Sequence, residues 1–311
     1  MKDQAVKLRA IVNRLNSNDD NNRNEEFVLS EENKPNRKNA RVITVTSGKG
    51  GVGKTNITIN LAIKMAQLGL RVVIIDADLG LSNVDIVFGM IPKYNLSDVI
   101  NHKKSINEIL ENGPNGVKFI SGGSGLQELI KINREQLGHL LIELGKLDEE
   151  ADIIFIDTGA GINDQVLSFV YAAKEVIVVT TPEPTAITDA YALIKVIAQK
   201  DSSKKINLIL NKANNLVEAN NALDKLYQVC LKFLGISINR LGYVCNDANI
   251  SKAVMMQQPF VIAFDKSAAA QDISSIAKSI ARIENNKTES DYGIRLFVNR
   301  LKWLFRYKES D

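Results

Sequence analysis

Cysteine, histidine and tryptophan are scarce in this chain of 311 residues, which holds two, two and one of them. Cys230 and Cys245 form no C-x-x-C pair, which excludes a disulfide framework and any obvious metal site. The histidines, His102 and His139, fall outside every motif and read as surface residues. No apolar stretch reaches membrane-spanning length and no secretory signal is present, so the chain is expected to be cytoplasmic. Charge of one sign is also lacking: a net +3 is too slight to imply nucleic acid as a partner. What is present is a chain 45% hydrophobic and 24% charged, a balance that buries a substantial core and stays soluble.

Glycine is concentrated at one place. Residues 48 to 55 read G-K-G-G-V-G-K-T, and Gly48, Gly53, Lys54 and Thr55 satisfy the phosphate-loop pattern G-x-x-x-x-G-K-[ST]. A β-branched run, Arg41 to Thr46, precedes it, and Ile59, Ile63 and Ala66 follow at helical spacing. Gly50, Gly51 and Gly53 let the backbone curl so that successive N–H groups face phosphate oxygens at a helix N-terminus. Lys54 would meet the β- and γ-phosphates, Thr55 would place its hydroxyl on Mg²⁺, and Val52 and Asn56 complete the nucleotide-binding run. ATP and Mg²⁺ are the cofactors this implies.

Two further apolar strands end in carboxylates. Leu70 to Asp76 runs into Asp76 and Asp78, and Asp152 to Ile156 into D-T-G-A-G, Asp157 to Gly161. Such strand ends overlook the crevice where α/β sheets bind ligands, which favours Asp157 for a Mg²⁺-bound water over helix capping. Strands over Lys174–Thr181, Ile206–Leu210 and Ser237–Val244 follow. They alternate with helices that include Arg134–Lys146, Thr185–Lys200, Leu216–Leu234 and Ser267–Ile283. The alternation predicts an α/β fold: one doubly wound, mostly parallel sheet over residues 41–284 with helices on both faces.

Both ends of the chain differ from this core. Residues 16–40 are polar and read as a flexible linker. Before them, Ala5, Leu8, Val12 and Leu15 fall at helical spacing within residues 1–15, a stripe that a tethered helix cannot bury against itself. A second polar linker, Glu284 to Ser290, leads to a segment over 291–308. There Ile294, Phe297, Val298, Leu301, Leu304 and Phe305 share a face opposite basic residues, and Trp303 suits a headgroup boundary. Too short and charged to span, it is expected to lie in an anionic membrane surface; packing on the core is the alternative.

The loop with its extra lysine, Lys49, resembles the deviant Walker A loop of MinD/ParA ATPases. The resemblance implies that Lys49 crosses a dimer interface to the partner's nucleotide, with two ATP molecules sandwiched between two subunits. It further implies that Asp78 orients the attacking water, with Asp76 nearer the Mg²⁺ shell, and that Asn211 reads the adenine edge, although asparagine also caps or turns after strands. Lys49, Lys54 and Asp78 are thereby the catalytic set, and Thr55, Asp76 and Asp157 the metal set. The start D-Q-A-V-K-L-R, Asp3 to Arg9, is similar to the D-Q-A-x-x-L-R element of the FlhG family, MinD-like regulators of flagellum number and position. That family binds an FlhF-type GTPase through this helix, here Asp3, Gln4, Ala5, Leu8 and Arg9, and stimulates its GTP hydrolysis. A flagellar motor switch (C-ring) component and a peripheral place on the inner face of the cell membrane when ATP-bound are also implied. A ParA-type partitioning ATPase that binds DNA is the competing reading, while a metal-cluster carrier of the superfamily would need bridging cysteines.

Overall fold

The computed structural model describes residues 39–78, 83–122, 133–284 and 293–307. Among them, eight strands form one sheet: β1 (Arg41–Ser47), β2 (Val72–Ala77), β3 (Glu111–Asn112), β4 (Lys118–Ile120), β5 (Ile153–Ala160), β6 (Glu175–Thr180), β7 (Lys205–Ala213) and β8 (Asn239–Cys245). Their order is β3-β4-β2-β5-β1-β6-β7-β8. Every pairing is parallel except the edge pair of β3 and β4. The sheet is the expected doubly wound one. The short edge strands were not anticipated, because two and three residues are too few to display a period of two.

Strand alternation sorts the core into two faces. Ile43, Val45, Val72, Ile74, Phe155, Ile177 and Ile209 pack against α1 (Lys54–Gln67), α2 (Val84–Phe88) and the helix Ala268–Glu284. Val73, Ile75, Ile154 and Ile156 face α3 (Leu96–Ile100) and α4 (Arg134–Gly145), and Val176, Val178 and Leu208 face α5 (Asp164–Ala172), α6 (Pro184–Lys200) and α7 (Leu216–Leu234). Further helices run over Ala248–Met255 (α8), Ala268–Glu284 (α9) and Ile294–Tyr307 (α10). Strands buried on both sides explain the near-continuous apolar runs in the sequence. His102 and His139, expected at the surface, are exposed and partly buried respectively, and stack with ring centroids 4.0 Å apart.

The segment expected to meet a membrane is helical, and α10 lies on the domain's own core. Ile294, Phe297, Val298 and Leu301 are buried with Ala40, Val42, Leu144, Phe169 and Ala172, and Leu304 packs partly buried beside them. The Phe297 ring stacks on Phe169 at 6.4 Å. One carboxylate fixes where this helix starts: Asp148 accepts the amide of Ile294 at 3.0 Å and that of Ala40, just before β1, at 3.1 Å. The apolar stripe is therefore satisfied within the chain in this conformation, and any encounter with a bilayer requires α10 to leave its groove. The side chains of Trp303 and Phe305, the N-terminal helix 1–15, most of its linker and most of the second linker lie outside the described residues.

Phe297→Ala should cost about 3 kcal/mol of packing, as for other large-to-small core changes. Because α10 is terminal, the loss is expected as faster amide exchange across 294–304, with exchange in β1 and β5 unchanged. Equal acceleration in the central strands would show that α10 is integral to the core rather than a docked element.

Candidate functional site

The central strands β1, β2 and β5 bring three loops to one edge of the sheet, at the C-terminal ends of parallel strands. The glycine loop follows β1. Gly53 is the N-cap of α1 at φ 90°, a left-handed conformation that a side chain would strain, and a Cβ there would sit 2.4 Å from Asn211 Nδ2. Gly48 is excluded from carrying a side chain for another reason: its Cβ would lie 2.4 Å from the carbonyl of Asp189 in α6. The first turn of α1 has no side-chain cap and no acidic residue. Its uncapped N–H groups and positive dipole end thus suit a phosphate.

Asp157 is the hub of the site. Fully buried near the end of β5, it accepts Lys54 Nζ at 2.9 Å, Thr55 Oγ1 at 2.7 Å and Thr58 Oγ1 at 3.0 Å. Thr58, which sequence reading passed over, lies one helical turn beyond Lys54 in K-T-N-I-T, and that spacing was its only signal. Asp76 is the register partner of Asp157 on β2. It is buried too, and accepts the amides of Asp78, Asn83 and Val84 at 3.1, 2.8 and 3.1 Å. Burial first, and the Asp157 carboxylate second, push the Asp76 carboxyl up to about 6 against those backbone donors. Thr55, Asp76 and Asp157 are therefore brought together as an oxygen-rich corner beside Lys54, a donor set that fits Mg²⁺ with a nucleotide phosphate. Asp78 accepts Asn83 Nδ2 at 3.3 Å and stands beside Gly159, where a Cβ would be 3.4 Å from Asp78 Oδ1. It thus faces the end of β5.

The two loop lysines are placed differently. The Lys54 side chain is 7% exposed and the Lys49 side chain 41%. Lys49 lies at the rim, where its Nζ meets Glu183 Oε2 at 3.0 Å and Thr185 Oγ1 at 3.1 Å. Pro182-Glu183-Pro184-Thr185, visible in sequence as a rigid turn, is here the rest for that lysine. Such an exposed pair holds by less than about 1 kcal/mol.

Asn211 lies beneath the loop. Its Nδ2 donates to Val52 O at 2.8 Å and its Oδ1 accepts the amide of Lys212 at 2.9 Å. Lys212, at φ 59°, reaches back to Gly51 O at 2.9 Å. Both residues brace the glycine loop, and Lys212 gave no sequence signal beyond its place after Asn211. On the outer side of α6, a groove of about 730 Å³ runs between α6 and α7, lined by Ile187, Tyr191, Glu218 and Lys225.

Residues 38–281 match the ParA family model described as NUBPL iron-transfer P-loop NTPase. The chain is 40% identical over 240 residues to the antiactivator FleN of Pseudomonas aeruginosa, covering 77% of this chain and 86% of that one. It is 32% identical to the flagellum site-determining protein YlxH of Helicobacter pylori, covering 86% and 91%. Among solved structures, MinD of Pyrococcus horikoshii, complexed with Mg-ADP, superposes with a TM-score of 0.65 at 24% identity, covering 80% of this chain and 99% of that one.

The raised Asp76 makes stability depend on pH. A carboxyl near 6 in the folded chain, against 3.8 unfolded, binds its proton more tightly when folded. Its contribution is then full below about pH 4 and lost as pH rises through about 6. Without nucleotide, the Tm of the wild type should therefore fall relative to that of Asp76→Asn between about pH 4 and pH 7. A constant difference in Tm across that range would show that Asp76 does not titrate there.

Proposed function

The chain belongs to the MinD/ParA family of P-loop ATPases, in the branch that holds the FleN and YlxH (FlhG) flagellar regulators, and we propose that it is a slow, ATP-switched dimer governing flagellum number and placement. The observation that carries the switch is the separation of the two lysines, one buried against Asp157 and one resting at the rim on a weak tie. When bound, Mg-ATP supplies the transferable phosphoryl group and the divalent charge that neutralises it. Thr55, Asp76 and Asp157 would hold the metal, Lys54 would balance phosphate charge, and Asp78 would orient the attacking water from its place beside the end of β5. Lys49, released from Glu183 and Thr185, would complete the site of a second subunit. Asn211, which braces the loop from beneath, would lie next to the base.

The output of the switch would be protein and membrane contact. The D-Q-A-V-K-L-R start supports stimulation of an FlhF-type GTPase, and the same branch membership supports a motor switch (C-ring) partner. Release of α10 from its groove would supply an amphipathic helix to the inner face of the cell membrane, and pairing two such helices in a dimer would raise avidity. Iron transfer, the activity in the matched family description, has no support in the thiols. Burial pushes Cys230 up to about 11, and burial with Asp272 pushes Cys245 up to about 12, so neither is a ready thiolate ligand.

Lys49→Ala should leave ATP binding within about twofold and abolish ATP-dependent dimerisation, as read by light scattering, because a rim lysine contributes little to its own nucleotide. Unchanged dimerisation would reject the bridging role. A peptide of residues 1–20 should accelerate GTP hydrolysis by the cognate FlhF-type GTPase, and no acceleration would separate this chain from that activity.

A further inference from the structure

At the edge of the sheet away from the glycine loop, a cavity of about 450 Å³ lies where α10 meets the domain, lined by Tyr171, Lys200, Asp201, Lys204, Asn299, Arg300 and Leu304. Among the described residues, three cations line it against a single carboxylate. That carboxylate is already engaged: Asp201 Oδ1 takes the amide and hydroxyl of Ser203 at 3.0 and 2.6 Å, and Oδ2 stands 3.4 Å from Lys204. Lys204, its side chain 2% exposed, donates to the carbonyls of Tyr171 and Ala173 at the end of α5, so it supplies charge rather than a free hand. Arg300 is half-buried and has no hydrogen bond or ion pair among the described residues, while its charge opposes that of Lys204. The Tyr171 hydroxyl, which burial and Asp164 keep protonated, adds a neutral donor. A half-buried guanidinium that meets the charge of Lys204 across a donor-rich cavity calls for an anion, and its fork, unpaired among the described residues, matches phosphate oxygens. Its volume, far beyond that of a simple ion, leaves room for an organic group against Leu304.

We propose that this cavity binds a phosphate ester, with Arg300 as the principal contact and Lys200 and Lys204 supplying the field. The site is assembled from α10 and the domain body together, so an occupant would clamp the helix in its groove. The sources of such a group are a soluble organic phosphate or an anionic lipid headgroup.

The full chain, saturated with Mg-ADP so that the glycine loop is occupied, can be titrated with glycerol 3-phosphate and, separately, with monomeric dihexanoylphosphatidylglycerol. Fluorescence of the sole tryptophan, Trp303, next in sequence to Leu304, reports occupancy, and amide exchange over 294–304 reports clamping. Saturation by either probe, with slower exchange in α10 and no effect of sodium chloride at equal ionic strength, sustains the site. Saturation by the first assigns a soluble phosphate, and by the second alone a headgroup. Arg300→Gln should weaken binding at least about tenfold and Arg300→Lys less, with exposed Lys200→Gln as a variant that leaves the fold intact and weakens binding about threefold. No saturation by either probe, or wild-type binding by both Arg300→Gln and Lys200→Gln, overturns the proposal.

Discussion

A buried ammonium is costly unless a carboxylate answers it, and the contact of Lys54 with Asp157 meets that need at 2.9 Å. The pair ties the loop after β1 to the end of β5, and through Thr55 and Thr58 it fixes the first turn of α1. Asp76 is buried beside that committed charge; burial first and the Asp157 carboxylate second drive its own carboxyl upward, against three backbone amides that favour its charged form. Those amides hold Asp78 and the entry to α2. The start of α1, the end of β2 and the entry to α2 are therefore gathered around one buried ion pair at the centre of the sheet.

Around this centre other parts are held in other ways. Lys49 rests on a solvent-exposed pair, and α10 rests on four apolar side chains and one amide to Asp148. A buried ion pair stands where phosphate must be met in one geometry, and an exposed one holds the lysine that the proposed switch would release. The cationic cavity beside Arg300 extends the same logic, since it spans the seam between a docked helix and its dock.

The site was largely legible in the sequence because its chemistry is written in contiguous strings: the glycine loop, Asp76 to Asp78, and Asp157 to Gly161. Each string sits at a strand end, and strand ends of a parallel sheet converge without further information. What could not be read depends on distant residues. Asn211 shows its amide groups in sequence but not that Val52, far upstream, takes one of them. The stripe of α10 has the same periodicity whether it meets lipid or Phe169, and only the tertiary structure shows it packed on the core. Lys200 and Lys204 are near neighbours in sequence, but Arg300 stands on α10 far downstream, so the cavity they share has no linear signature.

The contact between Gly48 and the backbone of Asp189 has an evolutionary consequence. With no room for even a methyl group there, any side chain at Gly48 would push the phosphate loop away from α6, and drift at Gly48 is closed. The outward residues of α6, such as Thr188 and Tyr191 along the groove with α7, lie under no such constraint. Lineages can therefore alter that surface while inheriting its position relative to the glycine loop unchanged, so whatever specificity arose there would start from a fixed distance to the phosphate-binding turn.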